Sequence, residues 1–85
     1  MKLDEIAKRI LAHLKRFEAD PVINARNRKY GTTPYYYSMA YRAGSRVAVC
    51  YVTYQGASNL TKDEALKYLA WLDAGNVGRH WRALR

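Results

Sequence analysis

Cys50 is the only cysteine of the chain, which excludes an internal disulfide. The two histidines, His13 and His80, stand far from it and from each other, so no zinc-type ligand set arises by spacing. Acids are scarce as well, seven against fifteen lysines and arginines. All seven fall in helix-terminal or capping contexts, and none forms a pair suited to acid–base chemistry. The five glycines, Gly31, Gly44, Gly56, Gly75 and Gly78, mark turns and a cap without the spacing of a phosphate-binding loop. A Cys50–His80 pair is the one conceivable nucleophile and base, but Cys50 sits inside an apolar strand pattern, where a thiol behaves as a small inert hydrophobe. The expectation is a protein that is not an enzyme and holds no cofactor and no metal. Long apolar runs are missing too: the first apolar stretch is broken by Lys8, Arg9 and His13, which speaks against a signal peptide, a membrane span and a membrane partner. A soluble, cytoplasmic chain is expected, and a lone thiol agrees with a reducing compartment.

What the sequence does contain is apolar surface and positive charge. Its 85 residues fit a single small basic α+β domain over residues 1–85, and a chain of this size buries only about 60 to 65% of the surface it exposes when unfolded. With disulfide and metal excluded, self-association is the remaining staple. A hydrophobic fraction of 49% with eight tyrosines, two tryptophans and one phenylalanine exceeds what one small core can hide, and predicts a homodimer. The net charge of +8 and a pI of about 9.9 favour a polyanionic partner, either nucleic acid or an acidic protein surface.

Along the chain, Leu3, Ile6, Ala7, Ile10, Leu14 and Phe17 recur at steps of three and four, the stripe of an amphipathic helix over residues 3–18. Asp4 and Glu5 open it and Lys15 and Arg16 close it, each sign at the end the macrodipole favours. Lys8, Arg9, Lys15 and Arg16 form the opposite face, which meets water or lies along a phosphate backbone, with His13 at its boundary in a structural role. Asp20–Pro21 ends the helix, because a residue before proline is pushed out of the α region. The loop that follows holds Arg26, Arg28 and Lys29 within four residues. It reads equally as an arm toward phosphates and as an ordinary polar loop, with 22–26 a candidate edge strand.

Residues 35–54 carry six of the eight tyrosines and read as a β-hairpin about a Gly44–Ser45 turn of type II′. That turn pairs Ala43 with Arg46, Tyr41 with Ala48, Met39 with Cys50, Tyr37 with Val52 and Tyr35 with Tyr54. Alternation then separates a Tyr36, Ser38, Ala40, Arg42, Val47, Val49, Tyr51, Thr53 face from a Tyr35, Tyr37, Met39, Tyr41 face. Neither face is polar, so both need cover. The Val47–Val49–Tyr51 face is expected to pack on the helices, since Ser38 and Ala40 let a helix approach closely. A third strand has two candidate sources, residues 22–31 or a second copy of the chain. The other face presents Tyr35, Tyr37 and Tyr41 to another subunit or to bases, whose stacking on tyrosine contributes about 1 to 3 kcal/mol each.

Thr61-Lys62-Asp63-Glu64 is a capping box. It starts a helix that runs to about Asp73, buries Ala65, Leu66, Leu69 and Leu72, leaves Lys62 and Lys67 outside, and stops at Gly75 in the C′ position. Trp71 lies off this stripe. In the tail, Arg79, Arg82 and Arg85 recur every third residue opposite Trp81 and Leu84, a short basic amphipathic segment suited to phosphate or to an acidic groove.

The order helix, hairpin, helix, with its basic loop and Thr61-Lys62-Asp63-Glu64-Ala65-Leu66 helix start, resembles in topology the double-stranded-RNA-binding domains and the arm-binding domains of tyrosine recombinases. The former implies three strands and a lysine cluster at the second helix, where this chain has Lys62 and Lys67. The resemblance brings no motif and no residue role. The residues themselves lead to a non-enzymatic nucleic-acid-binding module, for DNA or RNA, with phosphate contacts by Arg26, Arg28, Lys29, Arg42, Arg46, Arg79, Arg82 and Arg85 and tyrosines as a stacking platform. The alternative is a small protein-binding adaptor or inhibitor, in the style of phage and mobile-element accessory proteins, docking through the tyrosine-rich hairpin face.

Overall fold

Two helices and a three-stranded antiparallel sheet follow one another as α1 (Leu3–Ala19), β1 (Met39–Ala43), β2 (Arg46–Cys50), β3 (Ser58–Leu60) and α2 (Lys62–Asp73) in a computed structural model. The structure describes residues 1–20, 38–50 and 58–77. The fold is α+β, with a helix on either side of the sheet in the sequence.

The α1 stripe turns inward as its spacing dictates. Ile6, Ala7, Ile10, Leu14 and Phe17 are buried, with Leu3 and Leu11 packed at the margin. Asp20 has φ −77 and ψ 119, the extended conformation that Pro21 imposes on its predecessor, and its amide bonds back to Phe17 O at 3.1 Å. Lys2 makes no side-chain cap at the other end. There Asp4 and Glu5 supply the negative charge that complements the helix dipole.

The hairpin has the register its turn predicts: Met39 pairs with Cys50, Tyr41 with Ala48 and Ala43 with Arg46. Gly44 adopts φ +64, the left-handed conformation that a primed hairpin turn needs at its first central residue. Ser38, Ala40, Val47 and Val49 are buried on the face that meets the helices, as the small residues at 38 and 40 predict. The third strand comes from neither source expected. Ser58–Leu60 supplies it, pairing Leu60 with Val47 and Asn59 with Ala48 to give the order β1-β2-β3. The 22–26 segment and the pairings of Tyr35 and Tyr37 lie outside the described residues. The three strands run in sequence order between the two helices, and Lys62 is followed by Asp63 and Glu64 rather than by a lysine cluster.

At the start of α2 the capping box closes from both sides. The Glu64 amide donates to Thr61 Oγ1 at 3.2 Å, and the Thr61 amide donates to Glu64 Oε1 at 2.9 Å. Thr61→Ala leaves the Glu64 amide without this acceptor and is expected to destabilise the fold by about 1 kcal/mol. In a domain of this size that lowers the melting midpoint by about 4 to 8 °C, read by circular dichroism; an unchanged midpoint would show that the box contributes nothing. The far end stops at Gly75, whose φ of +95 suits the C′ position. The buried residues of α2 are Ala65, Tyr68, Leu69 and Leu72, and Leu66 is only half-buried. Tyr68 therefore takes the core position that the sequence reading gave to Leu66. Trp71, one turn on, lies alongside the Tyr68 ring with centroids 6.0 Å apart and 21° between planes.

Candidate nucleic-acid interface

Because both helices pack on one side of the sheet, strand alternation decides which hairpin side chains remain for a partner. The outward set is Met39, Tyr41 and Ala43 on β1, Arg46, Ala48 and Cys50 on β2, and Asn59 on β3, by the observed register. Met39 is 42% and Tyr41 47% exposed, and Arg46 and Asn59 are exposed as well. Ala48 and Cys50, on the central strand, are buried. Among the described residues this face holds a cation, an aromatic ring, a thioether and an amide, and no carboxylate.

The two arginines of the hairpin fall on opposite sides. Arg42 pairs with Val47 and Arg46 with Ala43, so they cannot serve one surface. Arg42 is engaged locally: its Nε donates to Gly44 O at 3.0 Å, and its guanidinium lies 3.6 Å from Asp4 Oδ2. Both partners of that ion pair are more than half exposed, so it contributes little and ties the turn only loosely to the start of α1. Arg46 makes no ion pair among the described residues. Of the other residues singled out from the sequence, Arg26, Arg28, Lys29, Tyr35, Tyr37, Arg79, Arg82 and Arg85 lie outside the described part of the structure.

A second polar cluster joins the helices, one that no local pattern of residues announces. Asp73 ends α2, where the helix dipole disfavours negative charge. It accepts from Arg9 at 3.2 Å and from His13 Nε2 at 2.7 Å, both on α1. The opposite ring nitrogen of His13, Nδ1, faces the Arg16 guanidinium. With both ring nitrogens engaged, His13 joins Arg9 and Arg16 of α1 to Asp73, and the cluster clamps the two helix ends together. A cleft of about 290 Å³ opens beside it, lined by His13, Arg16, Phe17, Leu72, Asn76 and Val77 among others. Asn76 Nδ2 donates to Trp71 O at 2.9 Å, satisfying one of the carbonyls left over at the end of α2.

No helix among the described residues is long and apolar enough to cross a membrane. Comparison with protein-family models, with curated proteins and with solved structures finds no match.

Proposed function

We propose that the chain is a non-enzymatic nucleic-acid-binding module whose outward sheet face meets the nucleic acid. The observation that carries this reading is the juxtaposition of exposed Tyr41 and Met39 with Asn59 and with Arg46, which makes no ion pair among the described residues, on a face without a described acid. It belongs to a chain with a net charge of +8. Charge supplies sequence-independent affinity through phosphate contacts and release of counterions, while aromatic and amide groups meet the bases. In this reading the arginines of the loop and tail, Arg26, Arg28, Lys29, Arg79, Arg82 and Arg85, add phosphate contacts around the sheet. The protein acts in the cytoplasm, and self-association as a homodimer offsets the limited burial of so short a chain.

Fluorescence anisotropy with labelled DNA and RNA oligonucleotides tests it. Binding should be readily measured at about 50 mM salt and weaken at least tenfold by about 200 mM, as release of several counterions requires. Absence of binding at the lower salt would refute the proposal. The exposed Met39–Tyr41 pair also favours a second reading, a protein-binding adaptor or inhibitor with this apolar pair at the centre of its interface. A protein partner that stays bound through nuclease treatment and high salt would select that reading.

A further inference from the structure

The geometry points to the edge of β1 as the interface of the homodimer, where a second copy of the chain lays its own β1 antiparallel and joins two three-stranded sheets into one of six. This rests on the self-association in the reading above and names its surface. Ala48 and Cys50 keep only 1% and 5% of their surface exposed, so the middle of the outward face is already covered. What stays open lies on β1, where Met39 is 42% and Tyr41 47% exposed. Among the described residues β1 has β2 as its single neighbour and so ends the sheet. The other end, β3, offers three residues against five.

The turn fixes which backbone groups point outward. A two-residue primed turn closes on a hydrogen-bonded pair, here Ala43 with Arg46. Pairs alternate along an antiparallel ladder, so Tyr41 and Met39 also bond to β2, whereas the N–H and C=O of Ala40 and Arg42 face away from it. Two such residues flanking Tyr41 make the edge self-complementary. A two-fold axis through Tyr41 sets Ala40 against the partner's Arg42 in a hydrogen-bonded pair, and the axis repeats that pair on its other side. Tyr41 then meets the partner's Tyr41 in the close, non-hydrogen-bonded position. Met39 meets the partner's Ala43, large against small, on the same face.

The strand carries none of the usual guards. Sheet edges are protected by proline, lysine, a bulge or an inward charge. β1 reads Met39-Ala40-Tyr41-Arg42-Ala43 in unbroken register with β2, and its one charge, Arg42, lies 3.6 Å from Asp4. Five residues a side make a small interface, so the dimer is weak, with a Kd between about 1 μM and 1 mM.

Sedimentation equilibrium of the full chain at rising concentration should show the mass climb from 9.8 kDa toward twice that value. Each copy carries +8, so screening by salt should hold or tighten the dimer between about 50 and 200 mM, the reverse of phosphate binding. Tyr41→Lys sets two ammonium groups in the closest pair and should weaken the dimer about tenfold. A Cys50→Ala background removes the one native thiol, so that crosslinking can read the register. In a glutathione redox buffer Tyr41→Cys should then form a disulfide-linked dimer, its partner thiol lying across the axis. Met39→Cys should not, because the two copies of position 39 stand about 14 Å apart along the strands. Positions 39 and 41 are half exposed, so each variant should melt as its parent does, and a melting curve keeps a folding defect from passing as a lost interface. If the chain dimerises but the two cysteine variants crosslink alike, or Tyr41→Lys leaves the dimer undiminished, this edge is refuted while self-association stands. If the chain stays at 9.8 kDa up to about 1 mM, both fall, and oligonucleotide binding is decided separately by anisotropy.

Discussion

Tyr68→Ala should destabilise the domain by about 3 to 5 kcal/mol, the usual cost of truncating a fully buried aromatic side chain. Tyr68 is the largest side chain in the described core with no exposed surface, and it stands where α2 meets the α1 stripe and the sheet. Its removal leaves a void among close-packed neighbours and takes away the ring on which Trp71 rests. A domain of this length has a total stability of about 4 to 13 kcal/mol, so the substitution consumes a large part of it. Urea denaturation followed by tryptophan fluorescence should show the midpoint fall sharply with the slope unchanged. Leu66→Ala is the internal control. Leu66 is only half-buried, and the cost there should be clearly smaller. Equal losses at the two positions would mean that the helix faces the core at a different angle.

That contrast marks where the sequence was readable and where it was misread. Ala65, Leu69 and Leu72 set the angle of the buried stripe, and Tyr68 lies on it, three residues after Ala65 and four before Leu72. Leu66 is more hydrophobic but lies to one side of that line, packed at the margin of the core. The α1 stripe, the capping box, the hairpin register and the buried hairpin face all follow from local pattern, because turn chemistry and strand alternation fix them within a few residues.

β3 was not legible for the opposite reason. Ser58-Asn59-Leu60 has one apolar residue and no β-branched or aromatic one, so it becomes a strand only through its pairing with β2. Asn59 reaches the outward face only through that pairing. The clamp of Arg9 and His13 on Asp73 joins residues at least 60 positions apart, a distance over which pattern carries no information. Of the arginines chosen for phosphate contact, the register places only Arg46 on the outward face among the described residues; Arg42 instead faces Asp4 and the turn carbonyl.

Val49→Asp and Met39→Asp should have opposite consequences although both introduce the same charge into the same hairpin. Val49 has no exposed surface and sits in the core cluster beneath the helices. An aspartate there loses about 1.5 to 3 kcal/mol of apolar burial. It also leaves a carboxylate without a partner in the interior, at a further cost of several kcal/mol. Together these approach the whole stability of the domain, and the cooperative urea transition should be lost or displaced close to zero denaturant. Met39 lies on the other face with 42% of its surface exposed. There a carboxylate keeps its water, and the fold should lose no more than about 1 kcal/mol. The function should respond in the reverse sense. An acid at position 39 stands two residues from Tyr41 on the same face, repels the phosphates that Arg46 attracts, and removes the thioether from the platform, so the folded Met39→Asp protein should bind oligonucleotides less tightly than wild type. A stable Val49→Asp protein, or an unfolded Met39→Asp protein, would reverse the assignment of the two faces. A folded Met39→Asp protein with undiminished affinity would move the binding surface off the sheet, toward the cationic face of α1, where Lys8 and Lys15 lie seven residues apart on one side of the helix.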